Sequence, residues 1–232
     1  MKTKNNHMLY DYLIIDEASQ TDMLACIGAM SCAKNLIVVG DLKQLPQVDS
    51  KIFKDYFDNN KLSVEKDKIP NQLLKEHYRC HPVIMTQDNE KTNPFELLIG
   101  ESFNYTKENN TSEKELNNIK SYLKENNIKD IGIISPFRAQ ANLIDGAIGN
   151  EQIIANTIHK FQGQEKETII FAVTKANIKG RNDFVSNPQL INVAVSRAKN
   201  KFILAYAGNL EERPDNDVKD LLKYIQYNYP KA

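Results

Sequence analysis

The sequence has no apolar run approaching the ~18 consecutive residues that a membrane-spanning helix needs. Its opening, MKTKNNHMLYDYL, lacks the apolar centre of a secretory signal, so the chain reads as cytoplasmic. Cysteine is scarce. Cys26, Cys32 and Cys80 form neither a Cys-x-x-Cys pair nor an even framework, which excludes a disulfide scaffold and predicts buried, reduced thiols. An excess of one charge sign is also missing. The 30 Lys plus Arg balance 30 Asp plus Glu, so net charge gives no argument for a polyanionic partner and any nucleic-acid surface must be a local patch. No internal repeat is present, and neither is the Gly-rich loop ending in Lys-Ser/Thr that cradles phosphates.

What is present is an alternation of strand and helix patterns through the whole chain, which predicts a parallel α/β architecture. LYDYLIID, NLIVVGD, FELLI, IGIIS, ETIIFAVT and KFILAYA read as strands. TDMLACIGAMSCA, NQLLKEHY, residues 112–125, FRAQANLIDGAI, QLINVAVSRA and DVKDLLKYIQYNY read as helices. Ser112 opens its helix with a Ser-x-x-Glu capping pattern. Met23, Leu24, Ile27 and Met30 fall at helical spacing and predict a core face. Val218, Leu221, Leu222 and Ile225 predict a C-terminal helix packed back on the second sheet. The polar passage from Asp49 to Pro70 is a linker or peripheral helix by composition, and the Lys-rich patches at 51–68 and 114–129 alternate with acids as solvated helix faces do.

Several segments carry chemistry. In LIIDEASQTD a buried-strand pattern delivers Asp16 and Glu17 to the carboxyl edge of a sheet, where one acid suits magnesium and the other a water; the alternative is a solvated strand end capped by Ser19. A second strand ends in GDLKQLPQV, which places the Gln44 amide beside those acids, able to donate to a phosphate and accept from a water. LLKEHYRCHP sets Tyr78 and Arg79 at a helix edge before Pro82, as a base-stacking ring and a phosphate-reaching guanidinium or as a surface pair. In ANTIHKFQGQEKETIIF, Gly163 permits a turn between a short helix and a strand, flanked by Gln162 and Glu165. Arg197 lies in INVAVSRAKNK, on a helix that carries apolar Ile191, Val193 and Val195, either placed for function or on a solvated face. His77, Cys80 and His81 suggest zinc, but no fourth ligand has suitable spacing.

In order and in spacing type, DEAS, GDLKQLP, HYRCHP, IISPFRAQ, TIHKFQGQE and NVAVSRAK resemble the later motifs of superfamily 1 helicases. The resemblance is greatest to the branch containing the nonsense-mediated-decay helicase, senataxin and their bacterial relatives, and it runs from about Leu9 to Gly208. It implies RecA-like parallel sheets of the P-loop NTPase type: residues 1–68 as the end of a first lobe, 69–210 as a second lobe and 211–232 as a helical tail. It implies ATP and magnesium as cofactors, with Asp16 as the magnesium acid, Glu17 as the catalytic base and Gln44 as the amide that couples the γ-phosphate to domain motion. Tyr78 matches the residue near the adenine, and Arg79 a phosphate-contacting arginine. Gln162, Gly163 and Glu165 match a nucleotide-touching loop, Thr157 and His159 its strand-contacting side, and Arg197 the arginine finger.

By the same resemblance the partners are single-stranded DNA or RNA, stepped along 5′ to 3′, and a P-loop-bearing N-terminal half in cis or in trans. Two departures stand out. Only 15 residues precede Asp16, and VIMTQDNEKTNP is a shorter passage than the family carries there. Arg138 occupies a variable place in IISPFRAQ, whereas Phe137 and Gln140 fit the pattern. The alternative from another class is a non-catalytic, helicase-derived module that binds nucleic acid or a partner.

Overall fold

Runs such as IGIIS and TIIFA, rich in β-branched residues and apolar without alternation, form strands that need cover on both faces, and parallel sheets supply it. The computed structural model describes residues 9–18, 21, 23–40, 93–100, 110–161, 163–175, 178–207 and 210–230. The chain divides into two units, Met1–Glu76 and His77–Ala232. The expected helix at NQLLKEHY, the passage from Asp49 to Pro70 and the boundary near residue 68 lie outside the described residues.

In the first unit β1 (Tyr10–Ile15) pairs in parallel with β2 (Ala33–Val38), from Tyr10 against Ala33 to Ile15 against Val38. The helix α1 (Met23–Met30) connects them. Two sequence expectations fail here. Ile27, expected in the core, is 53% exposed, and Cys32 is exposed while Cys26 is only half-buried. The physical reason is limited cover: among the described residues an eight-residue helix lies beside two strands.

Among the described residues the second unit holds a five-stranded parallel sheet in the order β3-β7-β6-β4-β5. Its strands are β3 (Phe95–Gly100), β4 (Ile131–Ser135), β5 (Ile153–Thr157), β6 (Lys166–Ala172) and β7 (Ala198–Ala207). The helices are α2 (Glu113–Asn126), α3 (Arg138–Ile148), α4 (Pro188–Ser196) and α5 (Asp217–Asn228). Alternate strand residues serve opposite faces. Ile131, Ile133, Ile170 and Ile203 meet Leu116, Ile119 and Tyr122 of α2 and Ile144 of α3 in one cluster. The other face carries Phe171 and Phe202, stacked with centroids 6.5 Å apart. There Gly132 is required by close approach, since a Cβ would lie 2.6 Å from Ile169 Cδ1 and 2.8 Å from the Phe161 ring.

The C-terminal helix α5 buries Val218, Leu222 and Ile225 as the spacing predicts, and Tyr229 beyond it packs on Phe95 of β3 with centroids 5.1 Å apart. The edge strand β5 was not evident in the sequence. Its segment, IIANT, holds three apolar residues and is only partly buried, so it lacks the long apolar signature of the central strands. Among the described residues no helix is long and apolar enough to cross a membrane.

Candidate functional site

In the first unit Asp16 and Glu17 follow the last residue of β1, as the strand pattern predicts. Asp16 is exposed and Glu17 half-exposed. The Glu17 N–H donates to Asp16 Oδ1 at 2.8 Å, and Glu17 holds a left-handed φ of +50°. Ladder bonds from Val39 N to Ile15 O at 2.8 Å and from Ala18 N to Val39 O at 2.9 Å pin the segment to the tip of β2. Hard carboxylate oxygens presented at a strand tip fit magnesium, which keeps most of its waters and takes only one or two protein carboxylates. Among the described residues no group of three or more His, Cys, Asp or Glu is placed to hold a metal by itself. Gln44, Tyr78 and Arg79, with His77, Cys80 and His81, lie outside the described residues, and so does Gln162.

In the second unit the remaining candidates divide between two edges of one sheet. Glu165 immediately precedes Lys166, the first residue of β6, and Arg197 immediately precedes Ala198, the first residue of β7. Lys166 and Ala198 are register partners, and the Lys166 N–H donates to the Arg197 carbonyl at 3.0 Å. Glu165 and Arg197 are therefore neighbours at the amino edge. Gly163, near them in sequence, has φ +77°, and the Gln164 N–H donates to the Phe161 carbonyl at 3.0 Å to close the reversal. Arg197 differs from the sequence expectation of a helical position with a solvated alternative. It is the C-cap of α4 and only 2% exposed, with Nη2 donating to Ser196 Oγ at 3.3 Å. Arginine carries a long apolar stem that packs well, so the sequence pattern did not separate burial from exposure.

The opposite, carboxyl edge holds Thr157, the last residue of β5, and exposed His159 in the 3-10 turn Ile158–Phe161. Phe137 and Arg138 follow β4 at the same edge. The polypeptide from Thr157 to Glu165 thus runs from the carboxyl edge to the amino edge.

A buried polar cluster that the site reading missed lies beneath the carboxyl edge. Glu115 is fully buried. Its Oε1 accepts from Thr174 N at 2.7 Å, and its Oε2 from Thr174 Oγ1 at 2.8 Å and Gln140 Nε2 at 2.9 Å. Thr174 is held at φ +63° and its hydroxyl also meets Ser135 Oγ at 3.2 Å. Burial is the largest influence on Glu115 and pushes its carboxyl up to about 7, against the opposing pull of the Thr174 and Gln140 donors. The Ser-x-x-Glu pattern was the available signal, and half of it holds: the Glu115 N–H donates to Ser112 Oγ at 3.3 Å. The reciprocal bond is replaced, because Ser112 N donates to Gln140 Oε1 at 2.7 Å and frees the Glu115 side chain for Thr174.

Comparison with known proteins gives matching families for most of the chain. A family described as AAA domain matches residues 86–209, and a second, also described as AAA domain, matches residues 2–51. The chain is 30% identical over 225 residues to the "DNA replication ATP-dependent helicase/nuclease DNA2" of Gallus gallus, covering 84% of this chain and 23% of that protein. It is 27% identical over 255 residues to the "Probable helicase MAGATAMA 3" of Arabidopsis thaliana, covering 88% of this chain and 31% of the relative. The Schizosaccharomyces pombe protein named like the Gallus gallus one is 25% identical over 284 residues, 96% of this chain and 20% of its own length. The chain spans between a fifth and a third of the length of these relatives.

Proposed function

Because the chain belongs to the superfamily 1 helicases, in the branch to which its motifs assign it, we propose that it forms the C-terminal portion of an ATP-dependent helicase acting on single-stranded DNA or RNA. ATP hydrolysis between two RecA-like lobes drives 5′ to 3′ steps along the strand in this reading. The observation that carries it is the pairing of Lys166 with Ala198, which sets Glu165 beside Arg197 at one edge of a sheet whose other edge bears Thr157 and His159. Groups suited to a nucleotide and groups suited to a strand are then joined by one short connection, which is what coupling requires.

Asp16 would hold the magnesium ion of the nucleotide complex, an ion that neutralises phosphate charge when bound. Glu17 orients a water and takes its proton on a carboxylate oxygen, and Gln44 hydrogen-bonds the same water. Tyr78 stacks near the adenine and Arg79 contacts phosphate. Gln162 and Glu165 contact ribose and phosphate from the reversal at Gly163. The planar guanidinium of Arg197 matches phosphate oxygens with paired donors. Since Arg197 is 2% exposed, that contact needs its flexible stem to swing away from Ser196 as nucleotide enters. Thr157 and His159 donate to strand phosphates, which position the strand without reading its sequence.

A P-loop-bearing half, in cis or in trans, supplies the groups that hold the β- and γ-phosphates. The exposed apolar side chains of β1 and β2, among them Tyr12, Ile14 and Val38, support this, because a parallel sheet is covered on both faces when complete. A second reading is a non-catalytic, helicase-derived module that binds nucleic acid or a partner.

Strand-stimulated ATP turnover separates the two. The chain alone is expected to turn over negligible ATP, and addition of a P-loop-bearing half to restore turnover with DNA or RNA compared at one salt concentration. Arg197→Ala in the joined protein is expected to lower the rate by about 10³ or more. Robust hydrolysis by the chain alone would contradict the dependence on a second half. Full biological activity after Glu17→Gln would favour the non-catalytic module.

A further inference from the structure

The carboxyl edge of the five-stranded sheet carries an aromatic pair that none of the nucleotide or strand roles above uses. Phe184 is 55% exposed, and its ring centroid lies 6.3 Å from that of Phe137 with the planes tilted by 55°. Phe137 sits between β4 and α3, and Phe184 sits in the connection from β6 to α4. The exposed ring is not on a loose tip. Val185 and Ser186 beside it are fully buried, and Asp183 caps their 3-10 turn by accepting from Val185 N at 3.3 Å. Asp183 is itself held by Lys175 Nζ at 2.6 Å, and Ser186 Oγ donates to Asp217 Oδ2 of α5 at 3.1 Å. On the inner side Glu115 ties together Thr174, at the start of the Phe184 connection, and Gln140, one turn beyond Phe137. Both rings are thus fixed in place while one remains largely in water, an arrangement that adds little to the stability of the fold.

Asp183 beside the pair is offset by Lys175, and positive and basic groups lie exposed nearby. Arg138, His159 and Lys160 are exposed at the same edge, and none of them makes an ion pair among the described residues. Fixed aromatic rings beside exposed cations match a single-stranded nucleic acid, whose bases offer π-faces and whose backbone offers phosphates at short repeat.

We propose that Phe184, backed by Phe137, is a stacking platform for one nucleobase of the bound strand, with Arg138, His159 and Lys160 against the neighbouring phosphates. This rests on the strand-binding reading above and adds to it a contact with a base where that reading has only backbone contacts. The platform makes binding depend on the presence of bases while leaving sequence preference weak, since every base has a π-face to stack.

The full chain lacks tryptophan, so Phe184→Trp introduces a single fluorescent reporter at the platform. A labelled oligothymidine and an abasic oligonucleotide of equal length serve as probes, with affinity read by fluorescence anisotropy at low salt. The unsubstituted chain is expected to prefer the intact oligonucleotide by on the order of 10-fold. Phe184→Ala removes that preference, Phe184→Tyr keeps it, and in the Phe184→Trp variant the indole emission is quenched by oligothymidine but not by the abasic strand. Equal binding of both oligonucleotides by the unsubstituted chain, or a preference that survives Phe184→Ala, overturns the platform while leaving strand binding intact. Absence of binding to either probe removes both the platform and the strand-binding reading.

Discussion

β1 and β4 are both short, largely apolar strands, yet Ile14 is 63% exposed and Ile133 is 0% exposed. Neither composition nor strand length accounts for the difference. β4 lies between β5 and β6 with α2 and α3 on one face, whereas among the described residues β1 has β2 as its neighbour in a sheet of two. Burial is therefore a property of the completed sheet. A parallel strand carries the residues for two covered faces whether or not its own unit provides the cover.

Paired truncations test this most strongly. Ile133→Ala leaves a cavity against Ile144, Ile170 and α2 and is expected to cost about 4 kcal/mol of unfolding free energy in the second unit. Ile14→Ala in the same chain is expected to cost less than about 0.5 kcal/mol, as for an exposed position. Urea titrations followed by circular dichroism measure both. In the protein joined to a P-loop-bearing half, the Ile14→Ala cost is expected to rise to about 2 kcal/mol, because the side chain is then covered. An Ile14→Ala cost equal to that of Ile133→Ala in the chain alone would break the contrast between the units.

The legibility of the sequence follows the same division. In the second unit the central strands, the cap at Ser112 and the buried face of α5 were readable, because apolar runs and caps are local and their cover is present. In the first unit the same kind of spacing placed Ile27 in a core that the described residues do not form around it. The motif order also made the acids after β1 and the Gly163 reversal readable. What escaped depended on distant partners. Glu115 finds Thr174 at a separation of 59 residues, Arg197 is buried at a helix end, and Phe184 becomes notable only beside Phe137.

The two units also differ in how they hold carboxylates, and pH sharpens the contrast. The first unit leaves Asp16 exposed, whereas the second encloses Glu115 completely. With its carboxyl raised from 4.5 to about 7, Glu115 binds a proton in the folded state that the unfolded chain has already released. Its contribution to stability is thus fully present below pH 4.5 and lost as pH rises through about 7, amounting to about 3 kcal/mol. Asp183 and Asp130 act with the opposite sign and outside that window. For Asp183 burial pushes upward but Lys175 and the Lys179 and Val185 amides outweigh it, and for Asp130 the Lys166 ammonium is the main cause of the lowering, so the stability both contribute is fully present above pH 3.8 and is lost only as pH falls below it. Denaturant titrations of the second unit's transition between pH 4.5 and 7.5 are expected to show stability falling with pH, and Glu115→Gln to flatten the slope. A slope unchanged by Glu115→Gln would mean that the buried carboxyl does not carry the linkage.

The smallest effect compares two backbone positions at the candidate site. Glu17 in the first unit and Gly163 in the second both have positive φ, +50° and +77°. A side chain in that region costs roughly 1 kcal/mol, which glycine avoids. At Gly163 a Cβ would meet no heavy atom within 4 Å, so Gly163→Ala is expected to cost about 1 kcal/mol through backbone strain alone, without overpacking. Glu17→Gly is expected to act in the other direction, by at most about 0.5 kcal/mol, because relief of strain is partly offset by the greater freedom of glycine in the unfolded chain. Thermal unfolding of the two variants measures the pair. If the changes have opposite signs, the first unit carries backbone strain at Glu17, while the second unit meets the same backbone demand with glycine; a destabilised Glu17→Gly would instead make the Glu17 side chain a stabilising element of its own strand tip.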